Sequence, residues 1–287
     1  LQDKQRPHKR GLSPRLCFMS MNSRHAFIYL LLTVPGSLSF NAYAFETGVS
    51  ADLMYFNYEE FDTSGATLNT ETGFLPGFTV SASQPLKAIN NTFEFSLYGG
   101  RVDYDGQTQS GLPHQTQTDE TIYRLLYKLS WAPVNDQGEL YAKAYWQQWD
   151  RSIQPNNGVS GLFEQYQWWT LEAGARVDIY TNNHHDVFVD LGVLTTRNGT
   201  ILVDLSNAGY GEPVLDLGDG IGLNGAINYR MAYTANGAFQ FGLRYTTWNF
   251  GRSNVKTLSN GSRTISIVEP DSTTQQLTAT IGYSHKF

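Results

Sequence analysis

Two aspartates in the first half of the chain have a spacing that could support chemistry. Asp103 and Asp105 lie two residues apart in the segment GGRVDYD, residues 99–105. Residues two apart in an extended strand point to the same face, so both carboxylates would border one space. Such a pair can share a proton and activate a water molecule. Asp103 and Asp105 are therefore the candidate catalytic residues.

A catalytic aspartate pair needs a base, and histidine supplies one most often. Four histidines follow residue 45: His114 in a predicted loop, His184 and His185 in a predicted turn, and His285 in the last segment. Only His114 is expected at the same end of the protein as the aspartates. The run from His184 to Asp186 has metal-ligand residue types, but adjacent histidines in a turn are more often solvated. We therefore predict no metal site and no cofactor.

The elements that must position these residues are strands. Apolar and polar residues alternate over many segments: Phe239, Phe241 and Leu243, for example, oppose Gln240 and Arg244. This period of two indicates strands with one apolar and one polar face. Ten segments have about the length of a tilted membrane strand: 46–62, 74–86, 91–107, 120–134, 139–153, 167–181, 186–202, 220–234, 238–252 and 272–287. In the third segment the alternation slips at Gly99-Gly100, which predicts a β-bulge.

Short and long connections alternate along the chain. The short ones are 87–90, 135–138, 182–185 and 235–237. The long ones are 63–73, 108–119, 154–166, 203–219 and 253–271. This pattern is typical of outer-membrane barrels, in which short turns are periplasmic and long loops are extracellular. It predicts an even number of strands with both termini on the periplasmic side.

The closing segment 277–287 alternates cleanly and ends on Phe287, with Tyr283 on the same apolar face. It resembles the assembly signal of bacterial outer-membrane β-barrels, which ends in an aromatic residue. The resemblance implies that Tyr283 and Phe287 serve as the assembly signal and that the barrel-assembly machinery inserts the protein. Outer-membrane lipids and lipopolysaccharide are then its expected surroundings.

The first 44 residues resemble a targeting region. Residues 21–24 are short and basic, residues 26–40 are apolar, and Ala42-Tyr43-Ala44 fits an A-x-A cleavage site. We expect 21–44 to be a signal peptide, 1–20 to be an upstream translation artefact, and 45–287 to be the mature barrel. A basic N-terminal arm is the alternative interpretation of residues 1–20.

The charge of the expected mature chain excludes several classes of function. Residues 1–44 contain six of the 20 Lys and Arg and one of the 26 Asp and Glu, which leaves 14 against 25, or about −11. A strongly acidic chain is a poor candidate for binding nucleic acid. The single cysteine, Cys17, also lies in the first 44 residues. The mature chain therefore has no thiol nucleophile, disulfide or cysteine-based metal site.

The polar faces of the strands predict a lumen that carries both signs of charge. Charges inside a barrel must pair or meet water, and about eight strands make a barrel that side chains fill. We predict a bracing network, with a narrow selective channel as the alternative. The predicted lumen residues are Asp52, Glu94, Arg124, Lys128, Lys143, Glu172, Arg176, Asp178, Asp190, Arg230, Arg244 and Lys286.

The strand count and the 99–105 segment resemble the omptin family of ten-stranded outer-membrane proteases, which have an aspartate pair in a comparable position. The resemblance implies a catalytic role for Asp103 and Asp105 opposite an Asp-His pair. The segment that should carry that pair, 187–219, contains no histidine. An omptin-like hydrolase is therefore an alternative and not the main prediction.

Together these observations predict an all-β fold: an antiparallel, up-and-down transmembrane β-barrel of about ten strands in the Gram-negative outer membrane. We expect a porin-like or structural role without catalysis, in which the loops, above all 203–219 and 253–271, contact an extracellular ligand. The alternatives are a narrow passive channel and the omptin-like hydrolase.

Overall fold

The alternating segments form long antiparallel strands. The computed structural model describes residues 45–86, 88–108, 111–132 and 138–287, all of which lie in one compact unit. The predicted upstream segment 1–20 and signal peptide 21–44 lie outside the described residues, as do Lys87 and residues 135–137 of the predicted turns. No helix in the described ranges is long and apolar enough to cross a membrane.

Ten strands of 13 to 20 residues make up the barrel wall. They are β1 (Glu46–Phe61), β2 (Thr67–Leu86), β3 (Ile89–Gln107), β4 (Pro113–Trp131), β5 (Gly138–Ile153), β6 (Leu162–Thr181), β7 (His185–Asp204), β9 (Gly220–Ala232), β10 (Gly237–Phe250) and β13 (Asp271–Lys286). Three shorter strands lie between them: β8 (Val214–Asp216), β11 (Lys256–Ser259) and β12 (Thr264–Ile267).

Antiparallel pairing closes the sheet on itself. Each wall strand pairs with the next, and β1 pairs with β13 from Glu46↔Lys286 to Phe61↔Asp271. Closure leaves no strand edge in the ring, which is the condition for strands to cross a lipid bilayer. The prediction of an all-β, ten-stranded antiparallel barrel is confirmed.

The barrel has two different ends. Both described termini lie at one end, which we call the terminal end, together with short connections such as 182–184 and 233–236. The opposite end, the loop end, carries the connections 62–66, 108–112, 154–161, 205–219 and 251–270. The first two are shorter than the sequence predicts because β2 and β4 begin at Thr67 and Pro113, seven residues earlier than expected.

An apolar belt covers the outer surface of the terminal half. Its residues face outward on successive strands and include Val49, Leu53, Tyr55, Phe74, Phe78, Val80, Phe93, Leu125, Trp169, Leu171, Leu191, Val193, Ile221, Leu223, Ile227, Phe241, Leu243, Leu277 and Ile281, all more than a third exposed. On β3 the belt runs from about Ile89 to Leu97, close to the 9–11 residues that a tilted strand needs to cross a bilayer.

Beyond the belt the strands continue, and their outward residues become polar. Arg101 on β3 pairs with Asp119 on β4 at 2.6 Å, and Asp150 on β5 accepts hydrogen bonds from Gln148 and Gln165. These parts of the wall therefore stand in water. Their polar outer residues break the apolar periodicity, which explains why the sequence prediction started β2 and β4 too late.

The predicted β-bulge at Gly99-Gly100 is wrong. The pairing of β3 with β4 keeps one register through both glycines. A Cβ on Gly100 would lie 3.1 Å from Leu75 and 3.2 Å from the carbonyl oxygen of Phe74, so close packing against β2 requires the small residue. The register shifts instead at Glu60/Phe61 and at two places between β6 and β7.

Candidate functional site: the barrel lumen

Side chains inside the barrel form three layers. A polar layer occupies the terminal half, and an aromatic plug, defined as Met54, Phe56, Tyr58, Trp149, Tyr166, Trp168, Trp248 and Phe250, lies above it toward the loop end. A carboxylate cluster, defined as Glu60, Glu71, Glu120, Glu164 and Glu269 around Arg151, lies at the level of the polar outer surface.

Glu172 is the centre of one part of the polar layer. Its Oε1 accepts hydrogen bonds from the Nζ of Lys143 at 2.8 Å, the hydroxyl of Tyr141 at 3.0 Å and the Nδ2 of Asn224 at 3.0 Å. The ammonium of Lys143 also lies 4.5 Å from the centre of the Tyr141 ring. Three strands, β5, β6 and β9, are therefore joined through one buried carboxylate.

Other predicted lumen residues bind partners on neighbouring strands. Arg124 donates to Gln147 at 2.9 Å and to Gln276 at 3.2 Å, across the barrel. Lys128 pairs with Glu139 at 2.6 Å. These bonds brace the interior as a network.

The remaining pairs lie toward the terminal end. Arg176 pairs with Asp178 at 3.1 Å, and Asp190 accepts a hydrogen bond from Asn228 at 2.9 Å. Asp178 and Arg176 are each about a quarter exposed.

Glu46, which the sequence analysis did not select, lies near two cationic side chains at the terminal end. Its carboxylate lies 3.5 Å from Arg230 and 3.9 Å from Lys286. The Lys286 side chain is 47 % exposed, so it belongs to the rim and not to the enclosed lumen.

Three further predicted lumen residues border a cavity of about 140 Å³ in the polar layer, and two of them are Glu94 and Arg244. Asp52 borders the same cavity, and its carboxylate accepts hydrogen bonds from Thr79 at 2.7 Å and Tyr98 at 3.3 Å. Most of the residues that line the cavity are polar or charged.

The aromatic plug fills the barrel above this layer. The Trp149 ring stacks on Tyr166 with centroids 4.6 Å apart and meets the edges of Tyr58 and Phe56 at 5.0 and 5.5 Å. On the far side, Trp168 contacts Phe250 with centroids 5.2 Å apart.

The two aromatic groups belong to one buried cluster that runs around the lumen from β1 to β10. Most of its members are less than 5 % exposed. The plug therefore fills this part of the lumen with side chains that are almost fully shielded from solvent.

Arg151 holds the carboxylate cluster together. Its Nη1 lies 2.6 Å from Glu164 and 3.2 Å from Glu60, and its Nε donates to Glu71 at 3.0 Å. Glu269, from the last connection, accepts hydrogen bonds from two plug tyrosines, Tyr58 at 3.2 Å and Tyr166 at 2.7 Å.

One guanidinium faces five carboxyl groups in this cluster, so the cluster cannot be neutral unless several of them hold protons. Burial raises the pKa of Glu120, and the nearby Glu71 raises it further. Burial likewise raises the pKa of Glu164 and Glu269, with Glu60 adding to the effect in both. Protonated carboxyl groups avoid much of the cost of burying charge.

The 205–219 connection at the loop end packs against the aromatic plug. Leu215 on β8 and Leu217 beside it are buried in the same cluster as Trp168 and Phe250. Strand β8 pairs with β7 at residues 200–202, just beyond the point where β9 begins. It therefore continues the wall where β9 is short.

Asp103 and Asp105 point away from the lumen. Both are exposed on the outer face of β3, where Asp103 accepts a hydrogen bond from Gln117 at 3.3 Å and Asp105 accepts one from Gln115 at 3.2 Å. His114 is buried on the inner face of β4, 6.0 Å from the ring of Tyr104. The wall thus separates the aspartates from this histidine.

The residues of the turn and of the closing strand have local partners. The Nδ1 of His185 lies 2.8 Å from the hydroxyl of Tyr229. Tyr283 faces outward and contacts Phe239 with centroids 5.5 Å apart, and the backbone N–H of Phe287 donates to the carbonyl oxygen of Phe45 at 2.9 Å. No group of three or more metal-ligand side chains with suitable geometry occurs in the described ranges.

Sequence reasoning missed the carboxylate cluster and the plug. The signal was present in the row that continues from Asp52 through Met54, Phe56 and Tyr58 to Glu60, all on the inner face of β1. The same reading of β5 leads from Lys143 to Arg151. The sequence analysis looked for lumen residues only where the outward residues are apolar, but the strands continue beyond that point.

Comparison with known proteins supports the fold. No protein-family model and no curated protein matches the chain. Among solved structures, the outer membrane protease OmpT from Escherichia coli is 8 % identical over 85 % of this chain and 97 % of that chain, with a TM-score of 0.57. The translocator domain of the autotransporter NalP from Neisseria meningitidis is 10 % identical over 87 % and 91 %, with a TM-score of 0.48.

The outer membrane protein OprG from Pseudomonas aeruginosa is 12 % identical over 86 % of this chain and 96 % of that chain, with a TM-score of 0.40. The similarity to OmpT is one of fold and not of sequence. With the apolar belt and the closed ring, it confirms the prediction that the chain is an outer-membrane β-barrel.

Proposed function

We propose that the protein is a closed, non-enzymatic outer-membrane barrel that presents a folded surface at its loop end to the outside of the cell. The observation that carries the proposal is the aromatic plug. A solute crossing the lumen would have to displace Trp168 and the stacked pair Trp149 and Tyr166, all of which are at most 2 % exposed.

The layers on either side of the plug support a closed lumen. Below the plug, the bonds of Arg124 to β5 and β13 span the interior. Above it, Arg151 joins Glu60, Glu71 and Glu164 from three strands. Breaking such a buried ion-pair network without replacement is costly, so the closed state is expected to persist without a ligand.

The loop end is built as an ordered surface. The β11–β12 hairpin is fastened to the 205–219 connection, since the Nζ of Lys256 donates to the carbonyl oxygen of Val214 at 3.1 Å and Asn260 donates to Ala208 at 3.1 Å. In outer-membrane barrels the longer loops face outward from the cell. An ordered surface binds a partner with less loss of conformational entropy than flexible loops do.

The outward position of Asp103 and Asp105 favours this role over the hydrolase. The buried His114 lies on the other side of the wall from both aspartates, so these groups cannot act on one substrate atom. A narrow channel is disfavoured by the same plug that carries the main proposal.

The deciding experiment is conductance. Residues 45–287 are folded into lipid that contains lipopolysaccharide, and folding is verified by the heat-dependent shift in gel mobility. Planar-bilayer recordings are expected to show no steady single-channel current. A steady current that changes in Arg124→Gln, whose side chain spans the lumen, would overturn the closed barrel and establish a channel.

The surface role is tested on the folded barrel. Replacing residues 256–267 by a short Gly-Ser linker is expected to leave the heat-dependent gel shift unchanged and to reduce binding of the protein to the surface of other cells. Unchanged binding, measured beside the intact barrel, would contradict a role for the hairpin.

A further inference from the structure

Two opposite charges face the cavity in the polar layer without direct partners. Within the described part of the chain, neither the guanidinium of Arg244 nor the carboxylate of Glu94 makes a hydrogen bond or an ion pair. The Nε of Arg244 is fully shielded by protein and has no acceptor. Both side chains line the same cavity of about 140 Å³.

The other charges of the cavity have direct partners, although the Nε of Arg230, like that of Arg244, has no acceptor. Asp52 accepts hydrogen bonds from Thr79 and Tyr98, and Arg230 pairs with Glu46 at 3.5 Å. Charges without a partner inside a protein are costly. Arg244 and Glu94, both only partly buried, are the two charged groups at the cavity that lack a direct partner.

We propose that this cavity binds a small zwitterion, with its carboxylate on Arg244 and its ammonium on Glu94. A short α-amino acid has both groups a few bonds apart. Arginine binds a carboxylate with two parallel hydrogen bonds, and a carboxylate accepts strongly from an ammonium. The cavity has room for several water molecules or one such solute.

Gly242 and Asn228 both line the cavity, and a Cβ on Gly242 would lie 2.9 Å from the Oδ1 of Asn228. Access is from the terminal end, because the inward-facing Gln240 is exposed there and the plug closes the opposite side. Binding at this site does not require the barrel to be closed, so a conducting barrel would overturn the proposed function and leave this inference standing.

The test is calorimetric titration of the folded barrel, residues 45–287 in detergent micelles, with L-alanine, acetate and methylammonium at equal ionic strength. L-alanine is expected to bind, and acetate and methylammonium each to bind at least tenfold more weakly. Arg244→Gln and Glu94→Gln are each expected to weaken L-alanine binding at least tenfold.

Matched controls make the same changes in charge elsewhere. Arg197→Gln removes a cation that pairs with Asp219 on the outside, and Glu59→Gln removes an outward acid on β1. Neither is expected to alter binding. If acetate binds as tightly as L-alanine and only Arg244→Gln weakens it, the site is an anion site and the zwitterion proposal fails.

A third variant tests the cavity without removing a charged side chain. Gly242→Val leaves every charge in place and puts two methyl groups beside Asn228, so it is expected to weaken L-alanine binding at least tenfold. Unchanged affinity in Gly242→Val, or no L-alanine binding by the unaltered protein, would overturn the proposal.

Discussion

The indole nitrogen of Trp149 donates a hydrogen bond to the Oε2 of Glu120, which joins the aromatic plug directly to the carboxylate cluster. Both residues are at most 2 % exposed. The protonation of the cluster and the packing of the plug are therefore coupled, and each can be probed through the other.

Stability is expected to fall as the pH rises. Burial raises the pKa of Glu120, Glu164 and Glu269 in the folded protein, so the folded state holds protons that the unfolded state has released. The loss begins near pH 4, the ordinary range of glutamate, and continues until the raised pKa values are reached. Each titrating group contributes at most about 1.4 kcal/mol per pH unit.

Urea unfolding of the barrel in detergent between pH 4 and 9 measures this slope. Glu120→Gln is expected to flatten it, since an amide cannot titrate, whereas the outward Glu59→Gln should leave it unchanged. A stability that rises over the same interval would contradict the proton-holding cluster.

Removing the central cation should destabilise the fold. Arg151→Met leaves Glu60, Glu71 and Glu164 without their shared partner, and breaking a buried ion pair in this way costs about 3–5 kcal/mol. The urea midpoint is the measurement. Arg101→Met, which breaks an exposed pair with Asp119, is the control and should change the midpoint little.

The loss in Arg151→Met should be smaller at pH 4 than at pH 7, because burial raises the pKa of Glu164 and a protonated Glu164 no longer needs the guanidinium. An equal loss at both values would mean that packing of the arginine side chain, and not its charge, supplies the stability.

Opening the plug should require more than one substitution. Trp149→Ala with Trp168→Ala removes two fully buried indoles, each at a cost of about 3–5 kcal/mol. We expect a folded but less stable barrel that shows transient current in bilayer recordings. Trp131→Ala, at an exposed outer position, should give neither effect. A silent double variant would locate the barrier in the layers above or below the plug.

The outward aspartates should be dispensable. Asp103→Asn and Asp105→Asn keep the hydrogen-bonding geometry to Gln117 and Gln115 on the outer wall. Their heat-dependent gel shift and their cleavage of a panel of basic peptides should match those of the unaltered protein. Peptide cleavage that disappears in Asp103→Asn would revive the hydrolase.

The terminal aromatic residue should affect assembly more than stability. Phe287 is 74 % exposed, and its backbone N–H forms the bond to Phe45 whatever the side chain. Phe287→Ala is therefore expected to unfold in urea like the unaltered barrel while accumulating more slowly in the outer membrane of cells. Val255→Ala, an exposed apolar change at the loop end, serves as the control.

The sequence predicted the number of barrel strands but not how far the strands extend beyond the membrane. Alternation reveals a strand wherever one face meets lipid, which is why all ten strands were found. On β1, however, the polarity reverses: Leu53 and Tyr55 are apolar and outward, whereas Phe56 and Tyr58 are apolar and inward. Phe56 and Tyr58 lie in the same row as Asp52, so the aromatic plug becomes predictable only when that row is followed beyond the apolar outer residues.

The lumen was only partly predictable for a related reason. Charges on the polar face, such as Lys143 and Glu172, can be assigned to the interior from one strand alone. Pairing across the barrel, as between Arg124 and Gln276, depends on strand order and stagger. Glu269 lies in a connection rather than a strand, so no alternation marked it.

The reversal of polarity on β1 also sets how deeply the protein sits in the bilayer. Tyr55 and Asn57 are successive outward residues, and the first belongs to the apolar belt while the second is polar. Two residues of strand span about 7 Å. The sequence therefore locates the membrane boundary on β1 to within that distance. The terminal half of the barrel faces lipid, and the loop half faces water.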